Sequence, residues 1–465
     1  MGRTLFDKIW DAHVINDLGE GWALLHIDRH LLHDLSGPPA LQNLADRGLP
    51  VHNPELCFAT PDHIVSSQPG RTGHTYEKGR RLWAGLHDGA LANRIHLFDL
   101  GQPGQGIVHV MGPEMGVVLP GLSVVCGDSH TGTNGGVGAL AFGIGSSEAV
   151  HVLATQTLRQ RKPKRMRITF KGNPGPAITA KDMILHTLAR LGASAGVGHA
   201  IEFAGPVVRG LDVEARLTLC NLATELGAKM SMVAPDETTF DYLRGRPFAP
   251  AGSAFDRAVA DWRALVGDED AVFDREEVLD LTGIAPTVTW GTSPDQAIGI
   301  EDRIPDPAVE PDTERREEYR AALEYMGLRG GDAILGTPVD WVFIGSCANS
   351  RLSDLRAAAK IAAGRQVAAS VTAWVVPGSE QVKRAAEQEG LDRIFMEAGF
   401  AWREPGCSMC VAANGEQIPP GARAVSTSNR NFVGRQGPGA RTHLASPAMA
   451  VAAAIAGELT DVRRL

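Results

Sequence analysis

Three cysteines in the last third of the chain have the residue type and spacing of soft-metal ligands. Cys347 lies in GSCANSR (residues 345–351), and Cys407 and Cys410 form a Cys-x-x-Cys pair within PGCSMC. A structural zinc site needs four closed ligands, whereas an iron–sulfur cluster with one open iron needs three cysteines. Such an iron acts as a Lewis acid on a substrate oxygen. The residues alone leave two interpretations open: a cluster site, or a pair of buried cysteines plus an unrelated third.

Three histidines in the first third of the chain point to acid–base chemistry. Asp62 precedes His63 in ATPDH, His109 lies in QGIVHVMGPE, and Asp128 lies two residues before His130 in GDSHT. A carboxylate beside an imidazole raises the pKa of the ring and sets its tautomer, as proton transfer requires. We predict each histidine at the end of a strand or within an extended run. A single Asp–His pair is more often a surface or capping feature, so the acid–base interpretation depends on the three histidines occurring together.

Charged residues elsewhere add candidates for substrate contact. Glu202 lies in the apolar strand-like run GVGHAIEFAGP and is either turned to solvent or a buried functional carboxylate. Arg430 and Arg435 lie in the polar loop TSNRNFVGRQG, where guanidinium groups suit bidentate binding of a carboxylate. The basic run 159–167 is interpreted as a solvated segment rather than a phosphate site.

The elements that must position these side chains alternate between strands and helices, which predicts an α/β fold with parallel sheets. Thr179 and the Ser446-Pro447 pair are predicted helix starts. Glycines at 135–149 resemble a dinucleotide fingerprint only weakly, and helix–strand packing explains them better. Composition shifts divide the chain into 1–164, 165–284 and 285–465, with a proline-rich linker or crossover at 284–312.

Composition narrows the function classes. The 465 residues are 43% apolar and 21% charged, enough for two or three ordinary cores. A net charge of −9 argues against nucleic-acid or membrane-surface binding. No run of about 18 apolar residues predicts a membrane span, and charges interrupt the N-terminal segment, so we expect no signal peptide. Six cysteines in a chain of this length predict a reducing, cytoplasmic setting rather than a disulfide scaffold.

The order of these motifs resembles the aconitase superfamily, and within it the large subunits of 3-isopropylmalate dehydratases. The resemblance covers nearly the full chain. It rests on IDRHLLHD, ATPDH, QGIVHVMGPE, GDSHT, ITAKD, TLCNLA, VAPDETT, VTWGT, YMGL, FIGSC-NSR, EAGFAWREPGCSMC, STSNRNFVGRQG and THLASPAMA.

The resemblance implies a three-domain α/β/α architecture without the swivelling fourth domain, which these dehydratases carry on a separate small subunit. It also implies roles for individual residues. The 4Fe–4S cluster ligands are Cys347, Cys407 and Cys410; the catalytic residues are Asp62, His63, His109, Asp128, His130 and Glu202; the substrate-binding residues are Ser129, Asn349, Arg430 and Arg435.

The implied activity is that of a hydro-lyase in leucine biosynthesis, interconverting 2-isopropylmalate and 3-isopropylmalate by dehydration and rehydration. The alternative is a related enzyme for another small hydroxy diacid, of the citraconate/2-methylmalate or homoaconitate type. Departures from the usual motifs bear on this choice: Ala348 replaces a Thr, Asn134-Gly135 replace His-Gly, and Pro39 lies near a usual Gln. Two rival classes are a zinc hydrolase with His443 as fourth ligand and an RNA-binding protein.

Overall fold

A computed structural model gives the fold and describes residues 2–465. The helices are α1 (Leu5–His13), α2 (Gly37–Asp46), α3 (Arg80–Ala92), α4 (Val108–Glu114), α5 (Ser146–Thr155), α6 (Ala180–Leu191), α7 (Pro206–Arg209), α8 (Val213–Leu222), α9 (Glu237–Leu243), α10 (Ser253–Arg263), α11 (Thr313–Met326), α12 (Leu352–Ala362), α13 (Glu380–Gln388), α14 (Leu391–Glu397) and α15 (Pro447–Ala456). The strands are β1 (Val14–Gly19), β2 (Trp22–His26), β3 (Arg29–His33), β4 (Cys57–Thr60), β5 (His96–Leu97), β6 (Ser123–Cys126), β7 (Leu140–Gly143), β8 (Thr157–Arg161), β9 (Lys164–Lys171), β10 (His199–Ala204), β11 (Met230–Val233), β12 (Arg275–Asp280), β13 (Thr287–Thr289), β14 (Ala297–Gly299), β15 (Trp341–Ile344), β16 (Thr372–Val375), β17 (Ala401–Trp402), β18 (Arg423–Ser426) and β19 (Arg441–Leu444).

The first of two compact units comprises residues 2–65, Thr72–Gly172 and Ser194–Asp280. Its main sheet has the order β5-β4-β3-β6-β7, and all four neighbouring pairs are parallel. A four-stranded parallel sheet, β11-β10-β9-β12, and a three-stranded antiparallel sheet, β1-β2-β8, complete the unit. Strands β4 and β6 are buried at every position, as expected for a parallel sheet covered on both faces.

The second unit comprises Ser66–Arg71, Asn173–Ala193 and Leu281–Leu465. Its main sheet, β17-β16-β15-β18-β19, is also fully parallel, and β13 and β14 form a separate antiparallel pair. The central strand β15 buries Val342, Phe343 and Ile344 completely. Helix α15 is apolar almost all round, and it is correspondingly buried along its length. The predicted α/β class with mainly parallel sheets is confirmed.

Local signals explain most helix starts. Thr179 caps α6 through a reciprocal box with Asp182, as predicted. Helix α15 begins at Pro447, but the hydroxyl of Ser446 makes no capping hydrogen bond, so the proline at the first helical position marks this start. Residues 380–397 form two helices, α13 and α14, rather than one, because Gly390 adopts a left-handed conformation (φ 74°) between them.

Two sequence expectations were wrong. His109 lies in α4 rather than in an extended run, because the Asp62 carboxylate accepts the amide hydrogen of Val108 at the start of that helix. The stretch 284–312 is not only a linker, because the short β-branched run Thr287–Thr289 is buried as strand β13.

The glycines at the start of the 135–149 stretch serve close packing. A β-carbon on Gly135 would lie 1.7 Å from the carbonyl oxygen of Ser231, and one on Gly136 would lie 2.6 Å from the amide nitrogen of Leu217. Neither position tolerates a side chain, which favours the packing interpretation over a nucleotide fingerprint.

The predicted segments 1–164, 165–284 and 285–465 stay a prediction, because a compact unit can contain more than one domain. Among residues 2–465, no helix has the length and apolar character needed to cross a membrane.

Candidate active site

The carboxyl ends of three adjacent parallel strands bring the predicted histidines and aspartates of the first unit together. His33 and Asp34 end β3, Asp62 and His63 follow β4, and the segment from Asp128 follows β6. Because β4, β3 and β6 are neighbours in the sheet, their following residues converge at one edge. We call His33, Asp34, Asp62, His63, His109, Asp128 and His130 the histidine–aspartate cluster.

His63 is held between two carboxylates. Its Nδ1 lies 2.5 Å from Oδ1 of Asp62, and its Nε2 lies 3.2 Å from Oδ2 of Asp128. Burial would raise the pKa of Asp62, but the charge and hydrogen bond of His63 outweigh burial and lower it. An imidazole oriented in this way can pass a proton at Nε2 while its other nitrogen stays fixed.

Asp128 is the hub of the cluster. Its Oδ1 accepts the backbone amide of His130 at 2.7 Å and lies 3.5 Å from Nε2 of His109. Burial would raise its pKa, but hydrogen bonds from His109, His130 and His63 hold the pKa well below its usual range. Asp128 therefore stays ionised and supplies a fixed negative charge to three imidazoles.

A carboxylate that was not predicted completes this side of the cluster. Nε2 of His130 lies 2.9 Å from Oε1 of Glu225, in the 3-10 turn Ala223–Leu226 that follows α8. Ser129 is exposed and lines a cavity of about 330 Å³ together with Asp128 and Thr224. The sequence offered one clue to Glu225, because it lies four residues after the asparagine of the TLCNLA motif.

His109 meets one of the residues that depart from the usual motifs. Nδ1 of His109 lies 3.3 Å from the side-chain nitrogen of Asn134, which also donates to the carbonyl of Thr131. The other side-chain atom of Asn134, its Oδ1, is buried without a hydrogen-bond partner among the described residues. Asn134, which stands where the usual motif has histidine, therefore contacts a predicted catalytic histidine.

His33 and Asp34 are a further part of the cluster that the motifs did not single out. The His33 ring stacks on His63 at 4.3 Å, and burial lowers the pKa of His33 to about 4. Asp34 accepts the amides of His63 and Ile64, and burial together with the Asp62 charge raises its pKa to about 6. His33, Asp34, Asp62 and His63 have the spacing of a metal site, but protein hydrogen bonds already engage them.

Glu202 lies elsewhere in the first unit. It sits on β10, and its electrostatic neighbours are Arg167 and the backbone of Leu5. Its Oε2 is buried without a hydrogen-bond partner among the described residues, and burial raises its pKa to about 7. No hydrogen bond or ion pair in the described part of the chain joins it to the histidines, so its catalytic role stays a prediction without a contact to support it.

The three predicted ligand cysteines lie in the second unit, where the loop after β15 carries Cys347 and the 3-10 turn Ser408–Cys410 follows Cys407. All three side chains are buried. The Asn429 amide nitrogen donates to Sγ of Cys347 at 3.3 Å, and Sγ of Cys410 lies 3.7 Å from its oxygen. One amide therefore bridges two of the three thiols. We call these cysteines, with Asn429 and Arg435, the thiol pocket.

The backbone beside each cysteine is left-handed. Ser346 (φ 86°) precedes Cys347, Ser408 (φ 49°) follows Cys407, and Ala412 (φ 56°) lies two residues beyond Cys410. Non-glycine residues rarely adopt this conformation, and it persists only where surrounding contacts enforce it.

One carboxylate enforces the turn between Cys407 and Cys410. Glu416 accepts hydrogen bonds from the hydroxyl of Ser408 at 2.5 Å and from the amide and hydroxyl of Ser67, both at 2.7 Å. Arg403 lies 3.1 Å from the same carboxylate. Burial would raise the pKa of Glu416, but the hydrogen bonds from Ser408 and Ser67 lower it, so it remains an ionised anchor.

A buried cation supports the loop that carries Asn429. The ammonium of Lys181 donates to the carbonyls of Thr427 and Ser428 at 3.1 and 2.5 Å, and its side chain is fully buried. Burial lowers its pKa to about 8, while the nearby Cys410 acts to raise it.

The predicted substrate residues of this unit border the thiol pocket. Arg435 lies 3.9 Å from Sγ of Cys410, and its Nε is buried without a hydrogen-bond partner among the described residues. Arg430 is half-buried in the same loop. Asn349 is buried in the loop after Cys347 and donates to Asp354 at 3.0 Å.

His443 does not complete a zinc site. Its Nδ1 lies 2.6 Å from the carbonyl of Thr289, and its Nε2 lies 2.9 Å from Arg423. Burial and the Arg423 charge lower its pKa to about 3. Both ring nitrogens are engaged by the protein, which removes the proposed fourth ligand of the zinc hydrolase.

Comparisons with known proteins identify the family of this chain. The family model described as Aconitase family (aconitate hydratase) matches residues 7–457. The large subunit 1 of 3-isopropylmalate dehydratase from Bradyrhizobium diazoefficiens is 62% identical over 464 residues, covering 100% of this chain and 97% of the relative. Among solved structures, holo-form aconitase X of Thermococcus kodakaraensis aligns at 10% identity with a TM-score of 0.48, covering 92% of this chain and 89% of that one. The family match and the identity over the whole length show that this chain belongs to the aconitase family.

Proposed function

We propose that this chain is the large subunit of a 3-isopropylmalate dehydratase, a hydro-lyase of leucine biosynthesis that interconverts 2-isopropylmalate and 3-isopropylmalate. The observation that carries the proposal is the 62% identity over the whole chain to a relative of that name. The histidine–aspartate cluster supports the reaction class, because dehydration and rehydration both need a positioned proton donor.

We propose that Cys347, Cys407 and Cys410 hold a 4Fe–4S cluster. The donor set fits, because all three thiols are buried, one amide bridges two of them, and His443 supplies no fourth ligand. When bound, such a cluster supplies an iron that polarises a hydroxyl oxygen.

The chain's own residues supply carboxylate binding and a proton donor, whereas we expect the small subunit to supply the base that removes the α proton. Arg430 and Arg435 bind a substrate carboxylate, for which the buried, unpartnered Nε of Arg435 is a suitable donor. A histidine of the cluster protonates the departing hydroxyl, and the ionised Asp128 stabilises the protonated ring. Glu225 fixes the ring orientation of His130.

We propose a small subunit as the partner, because the relative is itself named a large subunit. Separate small subunits in the dehydratases this chain resembles carry the swivelling domain, so we expect the chain to be inactive by itself. The six cysteines, none of them in a disulfide within the described residues, support a reducing cytoplasm as the setting.

The test is an activity assay of anaerobically reconstituted chain with and without the co-expressed small subunit. Substrates are 3-isopropylmalate, citraconate, 2-methylmalate and homoaconitate. We expect turnover of 3-isopropylmalate only with the small subunit. Preference for another diacid would replace the substrate assignment, and full turnover by the chain alone would overturn the two-subunit proposal.

A further inference from the structure

A cavity of about 710 Å³ in the first unit has no part in the proposed reaction. Its wall contains Trp22 of β2, residues 159–161 of β8, Lys164 at the start of β9, and Lys229 just before β11. Residues 159–164 of the basic run therefore line a cavity, whereas Arg165 and Arg167 pair with Asp274 and Glu276.

The cations of this wall have few anions to neutralise them. Arg159, Arg161 and Lys164 form no ion pair with any acidic residue in the described part of the chain, although the charge of Lys164 helps to lower the pKa of Asp274. Lys162, which also lines the cavity, pairs with Asp7 and Asp11. Three unpaired cations on one wall are a notable local excess in a chain of net charge −9.

The one acidic residue among those lining the cavity is already engaged. Glu148 accepts the amide of Gly145 at 2.9 Å and the side-chain nitrogen of Gln160 at 3.0 Å. Lys229 in turn donates to the oxygen of Gln160 at 2.6 Å. Gln160 thus stands between the carboxylate and the ammonium.

The cations are also held in place. The guanidinium of Arg159 lies 4.2 Å from the centre of the Trp22 ring, so its aromatic support limits its motion. Burial lowers the pKa of Lys229, which indicates that its ammonium is partly withdrawn from water. Arg159, Arg161 and Lys164 are exposed, whereas Lys229 is the partly desolvated cation of the wall, and partial desolvation strengthens its attraction for an anion.

We propose that this cavity binds a small multivalent anion, whose phosphate or carboxylate groups contact Arg159, Arg161, Lys164 and Lys229. The volume lies within the usual range of small-molecule pockets. Guanidinium groups suit bidentate contact with either group, and ammonium groups serve as point charges. Lys229 also lines the 330 Å³ cavity that contains Asp128 and Ser129, so the two cavities share one lining residue.

Isothermal titration calorimetry of the full chain at about 0.15 M ionic strength tests the proposal. The probes are inorganic pyrophosphate and citrate, which distinguish phosphate from carboxylate ligands. The cavity variant is Arg159→Gln with Arg161→Gln. The control is Arg80→Gln with Arg263→Gln, which removes the same charge from exposed arginines paired with Glu77 and Glu237 in the same unit.

We expect wild-type chain and control to bind at least one probe with equal affinity, and the cavity variant to bind it at least 10-fold more weakly. Binding of pyrophosphate alone identifies a phosphate ligand, and binding of citrate alone identifies a carboxylate ligand. Binding that is equal in all three proteins, or equally weakened in both variants, overturns the proposal. So does the absence of binding of either probe to the wild-type chain. Melting curves of the variants confirm that the exposed substitutions leave the fold intact.

Discussion

The histidine–aspartate cluster holds titratable groups against one another, whereas the thiol pocket holds its thiols against an amide, an arginine and strained backbone. Most residues of both follow parallel strands, although His109 lies on α4. In the cluster, Asp128 alone is tied to three imidazoles, so each charge state depends on the others. In the thiol pocket, Glu416 and Lys181 bind backbone and hydroxyl groups rather than the sulfurs.

The two sites therefore prepare their reactive groups differently, one by adjusting pKa values and the other by fixing positions. Proton donors need a tuned pKa, and direct contact with neighbouring charges provides it. Soft ligands need position, which depends on the conformation of the chain that carries them. A substitution in the cluster should therefore change the pKa values of neighbouring residues, whereas a substitution in the thiol pocket should affect one ligand only.

The largest expected effect is the loss of bound iron in Cys407→Ser. A serine hydroxyl does not replace a thiolate as a soft ligand, so anaerobic reconstitution should yield little iron, sulfide or cluster absorbance. Cys57→Ala, which removes a buried thiol of the first unit, should reconstitute like the wild-type chain. Normal iron content in Cys407→Ser would exclude this cysteine as a ligand.

The next effect compares two carboxylates of the first unit. Glu225→Gln removes the charge that faces His130, and we expect kcat of the chain assayed with the proposed small subunit to fall by roughly 10²–10⁴. Glu202→Gln should leave kcat within about threefold, because no contact joins Glu202 to the histidines. The reverse result would support the catalytic role predicted for Glu202.

The pH dependence of the unfolding free energy gives a second way to distinguish Glu202 from Glu225. Burial raises the pKa of Glu202 to about 7, above its ordinary value of 4.5. The stabilisation from the protonated group is complete below pH 4.5 and is lost as pH rises through 7. Glu202→Gln should avoid that loss and raise the free energy of unfolding at pH 8.5 by up to about 3 kcal/mol. Urea unfolding at pH 4.5 and 8.5 measures this; a difference between the proteins that is the same at both pH values would contradict it.

The smallest effect concerns Arg435→Lys in the thiol pocket. Lysine keeps the charge but lacks the planar fork. We therefore expect kcat/KM to fall, with a loss of about 2 kcal/mol of transition-state stabilisation, while the iron content stays normal. Arg393→Lys, at a solvent-facing position of α14, is the control. Unchanged kinetics in Arg435→Lys would assign the loop a structural role.

The sequence predicted the strands and loops that carry both sites, because short motifs coincide with strand ends. Cys347 and His63 were identified in this way. The contacts of Glu225 and Glu416 were missed, since each depends on a partner far along the chain. Glu202 was singled out as a charge in an apolar strand, but such a pattern does not tell which side chains the carboxylate meets.

The left-handed conformations at Ser346 and Ser408 have a consequence for how fast the cysteines can acquire a ligand. Hydrogen bonds within the protein hold both residues: Ser408 donates to Glu416, and Ser346 donates to the carbonyl of Thr427. These loops therefore lose their conformational entropy when the chain folds, and not when a ligand binds. Acquisition of the proposed cluster by these cysteines should thus resemble docking onto a rigid surface, with delivery rather than loop ordering setting its rate.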